Sequence, residues 1–305
     1  LEPPPCHRLP GRPPPHPQPA SASGRRERMP KAAEGENDDA LNAPLGVASL
    51  FGVQGKVVLV TGGGSGIGAM IAAGFVQNGS TVYVASRKDC SAFAAQLTAK
   101  GPGSCVAMSC DLTDAKQMQA LIAAIEKDQG KLHVLINNSG TNFNVKLDKH
   151  TPEIFEKVMQ LNTNVVFELT RLAAPLLQAS STKEDPGRII NISSINGLQA
   201  PQIDNFSYSA SKAAVVMLTK HLAGALGPKH VTVNAICPGP FASRMTRGTI
   251  AAIGEENFAN TALGRMGAPA DMAGACIFLS SAAGAFVTGA DFAVDGGTLV
   301  ARPRL

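Results

Sequence analysis

The sequence predicts an α/β protein: a single domain built on a doubly wound parallel sheet, with helices covering both faces. Three observations predict it. Short apolar, β-branched runs alternate with stretches of helical spacing along most of the chain, the pattern of repeated strand and helix units. Within the runs the apolar residues are consecutive, as in Val57-Val58-Leu59-Val60, which suits a strand buried on both faces. The 305 residues are 44% hydrophobic and 16% charged, enough apolar material to bury one large α/β core.

Taken in order, the first strand spans Lys56 to Val60 and runs into Thr61-Gly62-Gly63-Gly64-Ser65-Gly66-Ile67-Gly68; helical spacing then continues from Ala69 to Val76 and ends near Gly79. Further strands are expected over Thr81 to Ser86, Ser104 to Cys110, His133 to Asn137, Arg188 to Ile192, Val231 to Ile236 and Phe292 to Val294. Helices are expected over Ser91 to Ala99, Ala115 to Lys127, Ile154 to Leu177, Ser209 to Leu226 and Ala270 to Leu279. In such sheets ligands bind beyond the carboxyl ends of the strands. The glycine loop, Asn138, Ser194, Pro238 and Gly239 all fall there.

Strand, glycine turn and helix in that order form a dinucleotide site, because glycine lets the main chain approach a pyrophosphate whose charge the helix N-terminus favours. Gly62, Ser65, Gly66, Ile67 and Gly68 are the candidate contacts. Their spacing, Gly-x-x-x-Gly-x-Gly, is longer than the Gly-x-Gly-x-x-Gly fingerprint. The second strand ends in Ser86-Arg87-Lys88, where an NAD site places a carboxylate on the ribose. A basic end welcomes a 2′-phosphate, so NADP(H) is the expected cofactor. Tyr208, one of two tyrosines, precedes Lys212 by four residues. That offset places both on one helix face, where an ammonium favours the ionised phenol. Lowering the phenol by about three units requires roughly 4 kcal/mol.

These segments resemble the short-chain dehydrogenase/reductase family over nearly everything from Leu50 to Val300, and the resemblance implies its Rossmann-type sheet. Asp111, with Leu112, resembles the position that holds the adenine ring. Asn137-Asn138-Ser139-Gly140 resembles the family's Asn-Asn-Ala-Gly turn, with Ser139 in place of alanine. Asn162, Ser194, Tyr208 and Lys212 stand where the family carries its catalytic tetrad. Pro238-Gly239 resembles the loop over the nicotinamide, and Asp295-Gly296-Gly297 the end of the last strand. Ser193 is the neighbour most easily confused with the catalytic serine; the family's spacing to a following glycine, here Gly197, selects Ser194.

The resemblance implies an NADP(H)-dependent carbonyl reductase. Ser194 and Tyr208 hold the carbonyl, Tyr208 gives a proton, Lys212 lowers the phenol and contacts the ribose, and Asn162 holds a water. Segments Glu156 to Asn162, Pro238 to Arg247 and Leu263 to Gly267 are similar to the branch containing the 3-oxoacyl reductase associated with rhamnolipid synthesis, so a 3-oxoacyl thioester or similar small ketone is the expected substrate. An alcohol or polyol dehydrogenase of the same family is the alternative, with a non-enzymatic dinucleotide-binding regulator behind it. A homo-oligomer, tetramer or dimer, follows from the same resemblance. Selectivity is expected from Phe241 to Leu263, where Met245, Ile250, Ile253 and Phe258 suggest an apolar lining.

Residues 1–49 read as a disordered Pro/Arg-rich tail and linker, 50–300 as the catalytic domain and 301–305 as a short tail. Leu1 to Arg28 holds nine prolines and five arginines against two acids, a composition that cannot build a core. A transit peptide or a start at Met29 are the two readings of that stretch. The tail also carries most of the formal net charge of +4, and the nearly neutral remainder argues against nucleic-acid binding. No run approaches the ~18 apolar residues of a membrane span, and a cytoplasmic location is expected. Pro303-Arg304-Leu305 loosely resembles the Ser-Lys-Leu peroxisomal address. The six cysteines form no Cys-x-x-Cys pair and the histidines lack ligand spacing, so no metal site is expected. The Asn-x-Ser sequons at Asn137, Asn191 and Asn205 fall beside the expected site and read as silent.

Overall fold

A computed structural model describes residues 42–301, apart from residue 244 and residues 256–259. The expected tail from residue 1 to 41, Phe258 and the Pro303-Arg304-Leu305 tripeptide lie outside the described residues. Seven strands form one parallel sheet: β1 (Val57–Thr61), β2 (Thr81–Ser86), β3 (Ser104–Ser109), β4 (Val134–Asn137), β5 (Gly187–Ile192), β6 (Val231–Pro238) and β7 (Asp291–Val294). Their order across the sheet is β3-β2-β1-β4-β5-β6-β7. The direction of winding therefore reverses between β1 and β4, which pair from Val58↔Val134 to Val60↔Ile136. That switch opens a crevice at the strands' carboxyl ends.

Nine helices accompany the strands among the described residues: α1 (Val47–Phe51), α2 (Gly66–Gln77), α3 (Ser91–Lys100), α4 (Ala115–Gln129), α5 (Pro152–Met159), α6 (Val165–Ala179), α7 (Phe206–Leu226), α8 (Arg247–Ile253) and α9 (Pro269–Ser280). Alternate strand residues serve opposite faces. Val57, Leu59, Tyr83, Leu135 and Ile189 pack with Ile125 of α4 and Leu169 of α6. Val58, Val60, Val84, Ile136 and Ile190 pack with Phe75 of α2 and Met272 of α9. Every residue of β1, β4, β5 and β6 is buried, which is why β1 and β4 read as apolar runs. Local signals set the helix ends. Asp114 caps α4 by accepting from Lys116 N and Gln117 N, and Gly130, at φ 65°, ends it in the left-handed conformation that only glycine adopts cheaply.

Two departures from the sequence reading matter. The helix expected over Ile154 to Leu177 is interrupted by a π-helical turn, Gln160–Asn164, which inserts one residue and rotates Asn162 inward. Helix α1 starts three residues before the boundary expected at Leu50. The asparagines of these three sequons are buried, at 3%, 0% and 0% exposure for Asn137, Asn191 and Asn205. No helix among the described residues is long and apolar enough to cross a membrane.

At the opposite end of the sheet, His133 Nδ1 accepts from Val57 N at 2.8 Å, a bond that needs the neutral ring. Burial, with Lys56 and Lys131 nearby, pushes His133 down to about 4. The unfolded chain therefore takes up this proton first, near ~6.5, and the folded form last. Stability is lost as pH falls across that window. The melting temperature should drop between about pH 6.5 and 4, and His133→Gln should make that pH dependence shallower in thermal melts.

Candidate active site

The glycine turn joins β1 to α2 at the switch point. Gly62 and Gly66 adopt φ of 65° and 55°, and a Cβ at Gly68 would lie 2.4 Å from Gly62 O and 2.5 Å from Asn138 Nδ2. Asn138 cannot yield, because its Nδ2 donates to Thr61 O at 2.7 Å while Asn138 N and Ser139 N donate to Thr61 Oγ1 at 2.9 and 3.0 Å. Ser65 precedes the first turn of α2 without a side-chain cap, and that turn, with Ile67 in it, carries no acidic residue. Its main-chain N–H groups and positive end therefore suit an anion, and the side-chain-free cradle has the form a pyrophosphate needs.

At the end of β2, Ser86 Oγ accepts from Lys88 N at 3.1 Å, and Arg87 and Lys88 are exposed. The nearest carboxylate, Asp89, is turned onto α3, where its Oδ1 accepts from Ser91 N at 2.9 Å and Ser91 Oγ at 2.6 Å. Asp111 Oδ1 accepts from Thr113 N and Thr113 Oγ1. These bonds, with a smaller contribution from Arg87, hold its carboxyl below the usual range. Leu112 beside it is buried.

The remaining candidates converge beyond β5 and β6. Ser194 caps a 3-10 turn, Ile195–Gly197, with its Oγ accepting from Asn196 N at 3.2 Å. The Ser194 side chain lies close enough to the Tyr208 phenol to pull its titration downward. Lys212 is 4% exposed; its Nζ donates to Ile192 O at 2.8 Å and lies 5.6 Å from the Tyr208 ring centroid. Asn162, fully buried, donates through Nδ2 to Thr141 O at 2.9 Å and Ser211 Oγ at 3.0 Å, and accepts from Thr141 N at 2.8 Å. Gly140 separates Asn162 from Lys212: a Cβ there would sit 3.3 Å from Asn162 Oδ1 and 3.6 Å from Lys212 Nζ. Pro238 ends β6. Gly239 follows under Asp295, whose Cα would lie 2.7 Å from an added Cβ.

Electrostatics correct one expectation. The sequence reading has Lys212 lowering the phenol of Tyr208, but burial raises it, against a smaller downward pull from the neighbouring Ser194 side chain. Burial also lowers Lys212 to about 8. Helical spacing does place the two on one face, but the ammonium sits over the ring and bonds to a carbonyl. In this state desolvation of both charged forms outweighs their attraction. The phenol is held protonated.

Sequence reasoning missed Thr61, whose hydroxyl and carbonyl tie the glycine loop to β4. It also missed Cys237, fully buried in β6, whose thiol is pushed up to about 11 chiefly by burial. Neither carries a sequence signal, since both look like ordinary strand residues. Of the lining expected after Phe241, Met245 is 47% exposed and Ile250 half-buried; Phe241 itself is core, stacked on Gly267.

Fold and site together define an oxidoreductase of the α/β dinucleotide-fold class. Residues 62–298 match the family described as Enoyl-(Acyl carrier protein) reductase. The chain belongs to the short-chain dehydrogenase/reductase family. It is 38% identical over 251 residues to the rhamnolipids biosynthesis 3-oxoacyl-[acyl-carrier-protein] reductase of Pseudomonas aeruginosa, covering 81% of this chain and 97% of that protein. It is 34% identical to a 3alpha-hydroxysteroid dehydrogenase of Mediterraneibacter gnavus, covering 80% and 97% respectively. Among solved structures, the Pseudomonas aeruginosa RhlG/NADP active-site complex superposes with a TM-score of 0.78 at 38% identity, over 82% of this chain and 98% of that one. The likeness read from Glu156 to Asn162 and Pro238 to Arg247 is thereby borne out.

The glycine positions are not equivalent. Gly68→Ala should destabilise by about 1–3 kcal/mol, the cost of overpacking against rigid main chain. Gly224→Ala, in α7 with nothing within 4 Å of its added Cβ, should stabilise by about 0.5–1 kcal/mol. Urea denaturation of the two variants checks both signs.

Proposed function

We propose that this protein is an NADPH-dependent ketoreductase that reduces the oxo group of 3-oxoacyl thioesters or similar small ketones. One observation carries the reading: two hydroxyls, on Ser194 and Tyr208, meet at the carboxyl edge of the sheet, and the second is held protonated. Two such donors suit one carbonyl oxygen on which negative charge develops. The relatives support the substrate class, since one is a 3-oxoacyl reductase and a superposable structure is an NADP complex.

The cofactor's residues would be Gly62, Ser65, Gly66, Ile67 and Gly68 for the pyrophosphate, and Ser86, Arg87 and Lys88 for the 2′-phosphate. Asp111 and Leu112 would take the adenine, and Asn138, Tyr208, Lys212, Pro238 and Gly239 the nicotinamide side. Bound there, it would supply the hydride. Ser194 orients the carbonyl by donating to its oxygen, and Tyr208 gives that oxygen its proton. A raised phenol serves this direction, because the donor is already protonated. Lys212, lowered to about 8, is then within reach of solution protons near neutrality, and Asn162 holds the loop against which it packs. Homo-oligomerisation belongs to the same reading. Phe167 on α6 and Met217 on α7 remain 48% and 57% exposed, as an assembling face would be.

Tyr208→Phe should leave NADPH affinity within about twofold while turnover falls about 10²–10⁴-fold, read by fluorescence titration beside a rate assay. Turnover near wild type in that variant would remove Tyr208 from the proton step. Arg87→Ala should narrow the preference for NADPH over NADH by about ten- to a hundredfold, the worth of a charge-assisted bond to phosphate. A panel of 3-oxoacyl thioesters, steroids and sugars, assayed with both cofactors, separates the ketoreductase reading from a polyol dehydrogenase.

A further inference from the structure

Helix α7 carries Tyr208 and Lys212, and side chains grip its middle from two directions. On the side of the π turn, Asn162 Nδ2 donates to Ser211 Oγ at 3.0 Å and Thr163 Oγ1 donates to Ser211 O at 3.3 Å. Ser211 Oγ passes the contact on, donating to Tyr208 O at 2.7 Å. On the side of the sheet, Ser193 Oγ donates to Lys212 O at 2.8 Å. The same segment lies flush on the helix, because a Cβ at Gly197 would come within 2.6 Å of Lys212 C. Lys212 Nζ returns the contact to Ile192 O.

Carbonyls 211 and 212 are consecutive and mid-helix, where helix geometry already gives each a main-chain donor. A serine bonding back to its own helix is a common packing device. The difference here is that Ser211 also accepts Asn162's donor, so one hydroxyl joins the π turn to the main chain of Tyr208. Ser211 and Ser193 are 0% and 2% exposed, so each contact acts in a low dielectric where geometry is held tightly.

Resting on the ketoreductase reading, we infer that Ser193 and Ser211 are positioning residues: Ser193 from the sheet, and Ser211 through Asn162 of the π turn, fix the rotation of α7, so that the Tyr208 hydroxyl meets Ser194. Neither touches the reacting atoms. A small rotation of α7 would separate the two hydroxyls, and misplacement on the scale of ~1 Å is enough to slow a reaction about a hundredfold.

Ser193→Ala, Ser211→Ala and the double variant test this. Each single variant should lower kcat about tenfold, 1.4 kcal/mol of barrier, with the cofactor KM within about twofold, and the double variant should lose more than the product of the two. With two tyrosines and no tryptophan, ring-labelled tyrosine NMR gives a separate readout, the Tyr208 signal being assigned by its loss in Tyr208→Phe. That signal should move in both alanine variants while the Tyr83 signal stays. A Tyr208 signal unmoved in both would overturn the inference, as would kcat within about twofold of wild type or a loss explained wholly by a raised KM or a lowered melting temperature. If the wild type reduces no ketone in the panel but the Tyr208 signal still moves, the ketoreductase reading fails and the positioning role stands.

Discussion

Thr61 holds the crevice together. It is the last residue of β1, and its carbonyl and hydroxyl between them bind the side chain of Asn138 and the main-chain N–H groups of Asn138 and Ser139 at the end of β4. These two strands are the ones that diverge at the switch point. Without that tie the glycine loop would have no fixed wall, and Gly68, which has room for no side chain because Asn138 is held against it, would have no defined neighbour. The turn that follows leads to Gly140, which lies between Asn162 and Lys212. One threonine thus connects the anion cradle to the proton-handling side of the cleft.

The charges in that cleft are governed by desolvation more than by pairing. A buried phenol and a buried ammonium each move toward neutrality, and the position of Lys212 over the ring, bonded to Ile192 O, leaves little attraction to oppose the shift. A protonated tyrosine beside a serine hydroxyl is a donor pair, which fits addition of hydrogen to an oxygen. Buried hydroxyls and amides fix the geometry: Ser193 and Ser211 on α7, and Asn162 on the turn beside it. The π turn at Gln160–Asn164 makes this possible, because a regular helix through that segment would leave Asn162 on a different face.

Much of the fold was legible before any coordinates. Consecutive apolar residues marked β1 and β4, and they did so because both faces of those strands are covered. The glycine loop was legible because its conformation needs residues without Cβ. The π turn was not, since Gln160-Leu161-Asn162-Thr163-Asn164 has no glycine or proline to break the helical pattern, and its extra residue is stabilised by contacts with α7 that lie some fifty positions along the chain.

Composition and local spacing determined the layered α/β architecture, the anion cradle and the shared helix face of Tyr208 and Lys212, because each depends on neighbours in sequence. The tertiary structure decided the rest. It bonded Asp89 to Ser91, directed the hydroxyl of Ser193 to a helix carbonyl, brought Ser194 beside the phenol, and set the sign of the shift on Tyr208. Those outcomes depend on burial and on partners brought from distant segments, and burial is a property of the packed chain that no local pattern carries.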